Sequence, residues 1–577
     1  MRSLLRYLKA YKLESILGPL FKLLEASFEL MVPLVMAKVI DVGIKNQDVG
    51  YIFKMGGILI LLGVVGLTCS LTAQYFAAKA AVGFGTALRN DLFAHINRFS
   101  YTEIDTIGTA TLVTRMTSDI NQVQSGLNLT LRLFLRSPFI VFGAMIMAFT
   151  INARAALIFA AAIPILSVVV FGIMAISMPL YKKVQRQLDQ VTRSTRENLA
   201  GVRVIRAFNR QEDEMRKFDE ANGLLVKFQN FVGRISALLN PLTYVIINLA
   251  IVVLVWTGGK IVDSGVITQG EVVALVNYMS QILVELIKLA NLIVSISKAL
   301  ACAGRVNTVF EKTSSMADDG KADGTGRNGA PKVEFRDLHF AYAGAKADAL
   351  DSLSFQVKKG QTVGVIGGTG SGKSTLVNLI PRFYDATSGA VLVDGLNVKE
   401  YPLSVLRDKV GVVPQKAVLF KGTLRENMRW GKADATDEEI YRALDTAQAR
   451  EFVEQKEEGL ELMIQQGGQN LSGGQRQRLT IARALVKKPE ILILDDSASA
   501  LDFATDARLR KAIKDETHDM TVFIVSQRAA SIKNLDLILV LDDGRIAGQG
   551  SHKELLESCP VYREICLSQL SKEEVEA

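Results

Sequence analysis

Two stretches of the chain collect residue types that handle phosphate. In GGTGSGKST, residues 367–375, Gly367, Gly372, Lys373 and Ser374 fit the spacing G-x-x-x-x-G-K-[ST]. Gly367, Gly368, Gly370 and Gly372 let the backbone wrap an anion, with the amides from Gly370 through Ser371 to Ser374 turned inward. Lys373 would reach the terminal phosphates of ATP, the Ser374 hydroxyl would hold Mg²⁺, and Thr369 and Thr375 complete the loop. The second stretch, ILILDD, ends four aliphatics in Asp495 and Asp496. A carboxylate at the end of a buried strand suits the Mg²⁺ shell, which assigns Asp495 to it. A nucleotide hydrolase normally carries Glu next, to activate water; Asp496 is one methylene shorter.

The flanking elements fit those roles. QTVGVI before the first stretch reads as an apolar strand and LVNLI after it as an apolar helix, so the loop opens a helix N-terminus that favours anions. A second helix start of the same kind lies in NLSGGQRQRLTIARAL, residues 470–485, where Ser472, Gly473 and Gly474 precede a helix with Leu479, Ala482 and Leu485 on its apolar face. One domain does not need two such starts for one nucleotide. The economical assignment gives this one to a nucleotide held by another subunit. Upstream, residues 313–331 are polar, Gly-rich and aperiodic, and read as a linker.

The 577 residues are 49% hydrophobic, and the apolar runs are confined to the first half. A span needs roughly 20 apolar residues. Residues 55–78, 155–181 and 235–259 carry no formal charge, and 137–153 is shorter but also charge-free. Residues 14–40 and 268–300 are interrupted by charges but complete a count of six, which places both termini on one side of the membrane. Arg2, Arg6, Lys9 and Lys12 precede the first span and residues 182–234 are rich in Arg and Lys, so the termini and the two long loops are expected in the cytoplasm. Those loops, 79–131 and 182–234, read as membrane helices continuing outward, with tips expected at 104–111 and 207–213. Glu25 and Glu29 share one helix face at membrane depth, where ionisable groups face a cavity or a partner, and are candidates for a substrate path. The net charge of +8 comes with no basic tract and no nucleic-acid motif, which argues against a nucleic-acid partner. Four cysteines without metal or disulfide spacing fit a reduced interior.

Leu471, Ser472, Gly473, Gly474 and Gln475 resemble the signature of ABC transporter ATPase domains. Other motifs of that family follow in order: Tyr342 matches the aromatic that stacks on adenine, Gln415 the Q-loop residue that reaches the metal and the reaction centre, and Ser499, Ala500, Leu501 and Asp502 the D-loop. Six spans ahead of the ATPase domain resemble a multidrug-type ABC exporter half-transporter. The resemblance implies an α-helical membrane domain (1–312), a linker (313–331) and an α/β P-loop ABC ATPase domain (332–577), multi-pass in the cell membrane, with ATP and Mg²⁺ as ligands. It also implies two shared ATP sites, each built from one subunit's phosphate loop and the other's signature.

Two positions depart from the family pattern. Asp496 replaces the catalytic Glu, and Gln527 replaces the switch His; none of His95, His339, His518 and His552 is placed to substitute. A general base must come within about 2.6–3.2 Å of its water and contributes typically 10²–10⁴-fold. Asp496 would sit too far back, and Gln527 can donate a hydrogen bond but cannot ionise. With these departures the chain resembles the degenerate-site subunit of bacterial heterodimeric ABC exporters. It would then carry a slow site of its own, lend an intact signature to a second half-transporter, and move amphipathic drugs or lipids from the surrounding membrane lipid. The alternatives are a homodimeric lipid or peptide exporter and an ATP-gated membrane regulator.

Overall fold

The computed structural model describes residues 4–497, 501–516 and 519–570. The chain divides into two compact units: Met1–Asn97 with Ala110–Lys312, and Arg98–Thr109 with Thr313–Ala577. The insertion of twelve residues from the first half into the second unit is the one interruption of the expected order.

The helices run α1 (Lys12–Lys38), α2 (Val49–Ile96), a short α3 (Tyr101–Ile107), α4 (Thr109–Thr114), α5 (Ile120–Leu133), α6 (Arg136–Ile151), α7 (Ala153–Ala200), α8 (Val202–Ala207), α9 (Gln211–Ala237), α10 (Leu239–Asp263) and α11 (Gln269–Phe310). A π-helical turn, Arg115–Asp119, joins α4 to α5. Local chemistry sets the breaks. Asn152 takes an extended backbone and accepts hydrogen bonds from Arg154 and Ala155 amides, so α6 and α7 cannot fuse. Thr268 and Glu271 form a reciprocal capping box that starts α11.

Among the described residues, five helical stretches are long and apolar enough to cross a membrane: Val49–Ile96, Thr109–Ile151, Ala153–Ala200, Gln211–Asp263 and Gln269–Phe310. At 1.5 Å per residue the 48-residue α2 and α7 reach about 72 Å, well beyond a core of about 30 Å. The expected outward extensions are therefore continuous with the apolar helices as far as Ile96 in α2 and Ala200 in α7. Of the six expected spans, α1 alone falls outside this set. It carries Lys22, Glu25 and Glu29. The tips also differ from expectation. The first is α3, closed by Gly108 at φ +81°; the second is α8, about five residues earlier than expected, because α7 ends at Gly201 and Asn209 turns the chain at φ +52°.

The second unit is an α/β domain. Its strands are β1 (Val333–Phe340), β2 (Leu350–Val357), β3 (Thr362–Gly367), β4 (Ser388–Val393), β5 (Leu396–Asn397), β6 (Val410–Val413), β7 (Gly422–Thr423), β8 (Met463–Ile464), β9 (Ile491–Asp495), β10 (Thr521–Val525), β11 (Leu537–Asp542) and β12 (Arg545–Gly550). The main sheet has the order β12-β11-β3-β10-β9-β6 and is parallel except at β12. β9 and β10 are buried along their whole length, which explains their unbroken aliphatic composition. A second sheet, β2-β1-β4-β5, is antiparallel. Residues 313–331 pack on this unit: Ala322 and Arg327 donate backbone hydrogen bonds to the carbonyls of Glu400 and Asp394.

Candidate nucleotide site

The phosphate loop runs from the end of β3 to the helix Lys373–Leu379. Two glycines are required by its shape. Gly370 and Gly372 have φ of +85° and +94°, and a Cβ on Gly372 would lie 2.6 Å from Leu350 Cδ2. The buried Lys373 turns its ammonium back onto the loop, donating to the carbonyls of Gly367 at 2.9 Å and Gly368 at 2.6 Å. Burial lowers its pKa, against the pull of Asp496 and Asp495 in the other direction. Ser371 Oγ is buried without a hydrogen-bond partner, an unfilled donor on the loop.

Parallel pairing of β10 with β9 puts Asp495 opposite Val525. Asp495 Oδ1 accepts a hydrogen bond from Ser374 Oγ at 2.9 Å. A hydroxyl and a carboxylate side by side are the hard oxygen donors Mg²⁺ takes, so this pair fits the cation. Burial raises the Asp495 pKa, as does the charge of Asp496; the Ser374 hydrogen bond acts against both. A cation at this point would offset that cost.

These residues line one cavity of about 340 Å³. Thr369, Gly370, Gly372, Lys373, Ser374 and Thr375 of the loop line it together with Gln415, Asp495, Asp496 and Gln527. Tyr342 also lines it, its hydroxyl 2.9 Å from Thr375 Oγ1 and its ring edge-on to Tyr384 at 5.4 Å. Gln415 Nε2 lies 3.4 Å from Asp496 Oδ2. Asp496 sits in the left-handed region at φ +45°, and its amide donates to the Val525 carbonyl at 3.0 Å. Ala349, Val525 and Ser526 also line the cavity. Reasoning from sequence missed them because they contribute shape rather than chemistry.

The signature turn lies elsewhere on the unit. Ser472 caps the helix Gly473–Val486: its Oγ accepts from the Gln475 amide at 3.2 Å, and Gln475 Oε1 accepts from the Ser472 amide at 2.9 Å. Leu471 is buried, whereas Ser472 and Gly473 face solvent. None of residues 471–475 is among the described residues lining the cavity. Of the D-loop, Leu501 is buried and Asp502 Oδ1 accepts from the Thr505 amide at 2.9 Å; Ser499 and Ala500 lie outside the described residues, as does His518.

The candidates on α1 are engaged. Lys22 Nζ contacts Glu25 Oε2 at 2.5 Å and Ser70 Oγ at 3.1 Å. Glu29 Oε2 is 2.7 Å from Arg136 Nη2, and the other guanidinium nitrogen, Nη1, is 2.7 Å from Glu285 Oε1. Ser137 and Lys288 also donate to Glu285. Arg136 was missed because it stands one residue before a charge-free stretch.

Residues 15–286 match the family described as ABC transporter transmembrane region, and residues 350–499 the one described as ABC transporter. An ABC transporter ATP-binding protein of Mycobacterium tuberculosis is 37% identical over 557 residues, covering 95% of each chain. This chain is an ABC exporter. The exporter is also 31% identical, over 89% of its own length and 88% of the relative's, to an ATP-dependent lipid A-core flippase of Hahella chejuensis. Its fold is shared with a bacterial Atm1-family ABC exporter with ATP bound, at a TM-score of 0.78, 23% identity, and coverage of 98% and 99% of the two chains. The exporter is therefore a multi-pass membrane protein whose ABC domain binds ATP and couples its hydrolysis to transport.

Proposed function

We propose that this exporter is one half of a heterodimer, with a slow ATP site of its own and a signature turn that completes its partner's site. The observation that carries this reading is the lining of the cavity, which includes Asp496 and Gln527 and holds no Glu or His among the described lining residues. Tyr342 stacks on adenine, the loop from Gly367 to Thr375 holds the phosphates, and Ser374, Asp495 and Gln415 hold Mg²⁺. Asp496 and Gln527 are left with the chemistry at the terminal phosphate, and both are poor at it. A carboxylate one methylene short places its base too far from the water, and an amide cannot ionise. The solvent-facing Ser472 and Gly473, away from the chain's own cavity, support donation of the signature to a neighbour.

ATP binding closes the two ATPase domains and opens the membrane cavity outward. Hydrolysis at the partner's site resets it, while the slow site stays loaded. Basic cytoplasmic segments support a plasma-membrane orientation with both termini inside. The flippase relative supports an amphipathic lipid or drug as cargo. The test is ATP turnover in lipid nanodiscs, by the chain alone and with a co-expressed second half-transporter. Near-background turnover alone, restored by the partner, is expected. Vigorous turnover by the lone chain overturns the heterodimer and favours a homodimeric exporter.

A further inference from the structure

We propose that Gln569, on the last described helix, is a positioning residue for Gln527 and so tunes how the site distinguishes ATP from ADP. After β10 the backbone leaves the sheet. The Ser526 amide still donates to the Val365 carbonyl at 3.1 Å, and the Arg528 amide then donates to Ser526 Oγ at 3.0 Å. Between these anchors and the short helix Ala529–Ile532, the Gln569 side chain takes over. Its Nε2 donates to the Gln527 carbonyl at 2.8 Å, and its Oε1 accepts from the Ala529 amide at 2.9 Å.

Both halves of one amide therefore bracket the loop that carries Gln527 into the cavity. The bond to Ala529 has a structural reason. The amides of a helix's first turn lack intrahelical partners, Arg528 supplies no side-chain cap, and Ala529 is fully buried. Gln569 is held in turn by its own helix, Pro560–Gln569, whose buried Tyr562 and Cys566 lie seven and three residues before it on one face. Rotating or removing this helix would release the loop without touching a phosphate-binding residue.

The proposal rests on the reading of Gln527 as facing the terminal phosphate. A loop held there acts on ATP and not on ADP, and that difference is the readout. In the full-length chain, dissociation of fluorescent MANT-ATP and MANT-ADP is followed by stopped flow. Gln569→Met, of similar size with neither hydrogen bond, is expected to speed MANT-ATP release about 2- to 10-fold, the equivalent of the lost bond to the Gln527 carbonyl, and to leave MANT-ADP release unchanged. Gln569→Glu keeps the acceptor for Ala529 and loses the donor to Gln527, so it shifts the ratio in the same direction. Gln527→Ala should match Gln569→Met, and the double variant should add nothing. Equal acceleration of both nucleotides by Gln569→Met marks general loosening and overturns the proposal. A shift with Gln527→Ala but none with Gln569→Met overturns the clamp alone. No shift with Gln527→Ala overturns the assignment of Gln527 to the terminal phosphate, and the proposal with it.

Discussion

Replacing Asp496 by Glu tests the slow-site reading most directly. The backbone at this position is fixed: β9 is buried throughout, and the Asp496 amide is bonded to the Val525 carbonyl at 3.0 Å. The side chain therefore starts from a set point, and its reach decides what it touches. Now it ends 3.4 Å from Gln415 Nε2. One methylene extends it by about 1.5 Å, the length of a C–C bond. That is enough to bring a base from outside hydrogen-bond range of a water into the roughly 2.6–3.2 Å it needs. Such a base contributes typically 10²–10⁴-fold, so a lone wild-type chain should turn over at ~0.01 s⁻¹ or slower if the usual lower bound is about 1 s⁻¹. Asp496→Glu should raise that at least tenfold, the shortfall from the full factor reflecting Gln527. The left-handed backbone tolerates Asp better than Glu, and that strain costs about 1 kcal/mol of stability without blocking nucleotide binding. The assay is phosphate release by the purified chain in nanodiscs, with Lys373→Ala as the blank and MANT-ATP binding as the control for an intact site. A wild-type rate at or above about 1 s⁻¹ refutes the reasoning, as does an Asp496→Glu variant that binds ATP and is no faster.

The remaining predictions concern the elements around the site. Arg136→Leu should destabilise the membrane unit by about 3 kcal/mol, the low end for breaking a buried pair, because Glu285 keeps Ser137 and Lys288. The half-life of folded protein in detergent on heating measures it, and adding Glu285→Gln should recover part of the loss. The Glu103 carboxyl caps α3 and accepts from the Ser315 amide at 3.0 Å. Burial alone would raise its pKa, but the hydrogen bonds from Ser100 and Ser315 outweigh that and hold it below the ordinary 4.5. A depressed folded value means this stabilisation is complete above pH 4.5 and is lost as pH falls through the lower folded value. Hydrogen exchange of residues 98–109, corrected for intrinsic rate, should show that acid loosening, and Glu103→Gln should abolish the pH dependence. Ser374→Ala should weaken Mg²⁺-dependent ATP binding about tenfold or more while leaving Mg²⁺-free binding nearly unchanged, by titration calorimetry.

By itself the sequence determined what contiguous residues determine. The phosphate loop is legible because nine adjacent residues carry both its backbone shape and its charge. The long helices are legible because apolar runs and breaks such as Asn152 act within a few residues. The departure at Asp496 is legible because one atom of side-chain length is visible in a one-letter code. What the sequence left open was everything that depends on residues far apart in the chain. Arg136 and Glu285 are 149 positions apart, and only the packing of α6 on α11 makes them a pair. The pairing of Glu29 with Arg136, 107 positions away, emerged only with the fold, whereas Lys22 and Glu25 pair within one helix turn. The short α3 belongs by packing to the ATPase unit, with Tyr384 hydroxyl donating to Asp105 at 2.7 Å, although its sequence neighbours belong to the membrane unit. Gln569 carries no motif at all. Its significance comes from a helix, packed by Tyr562 and Cys566, that delivers one amide to two backbone groups of the switch loop. A motif records local chemistry, because backbone shape and ligand contact lie within a few bonds. Tertiary structure decides which charges neutralise each other and which side chain holds a loop, because those energies depend on distances that chain order does not fix.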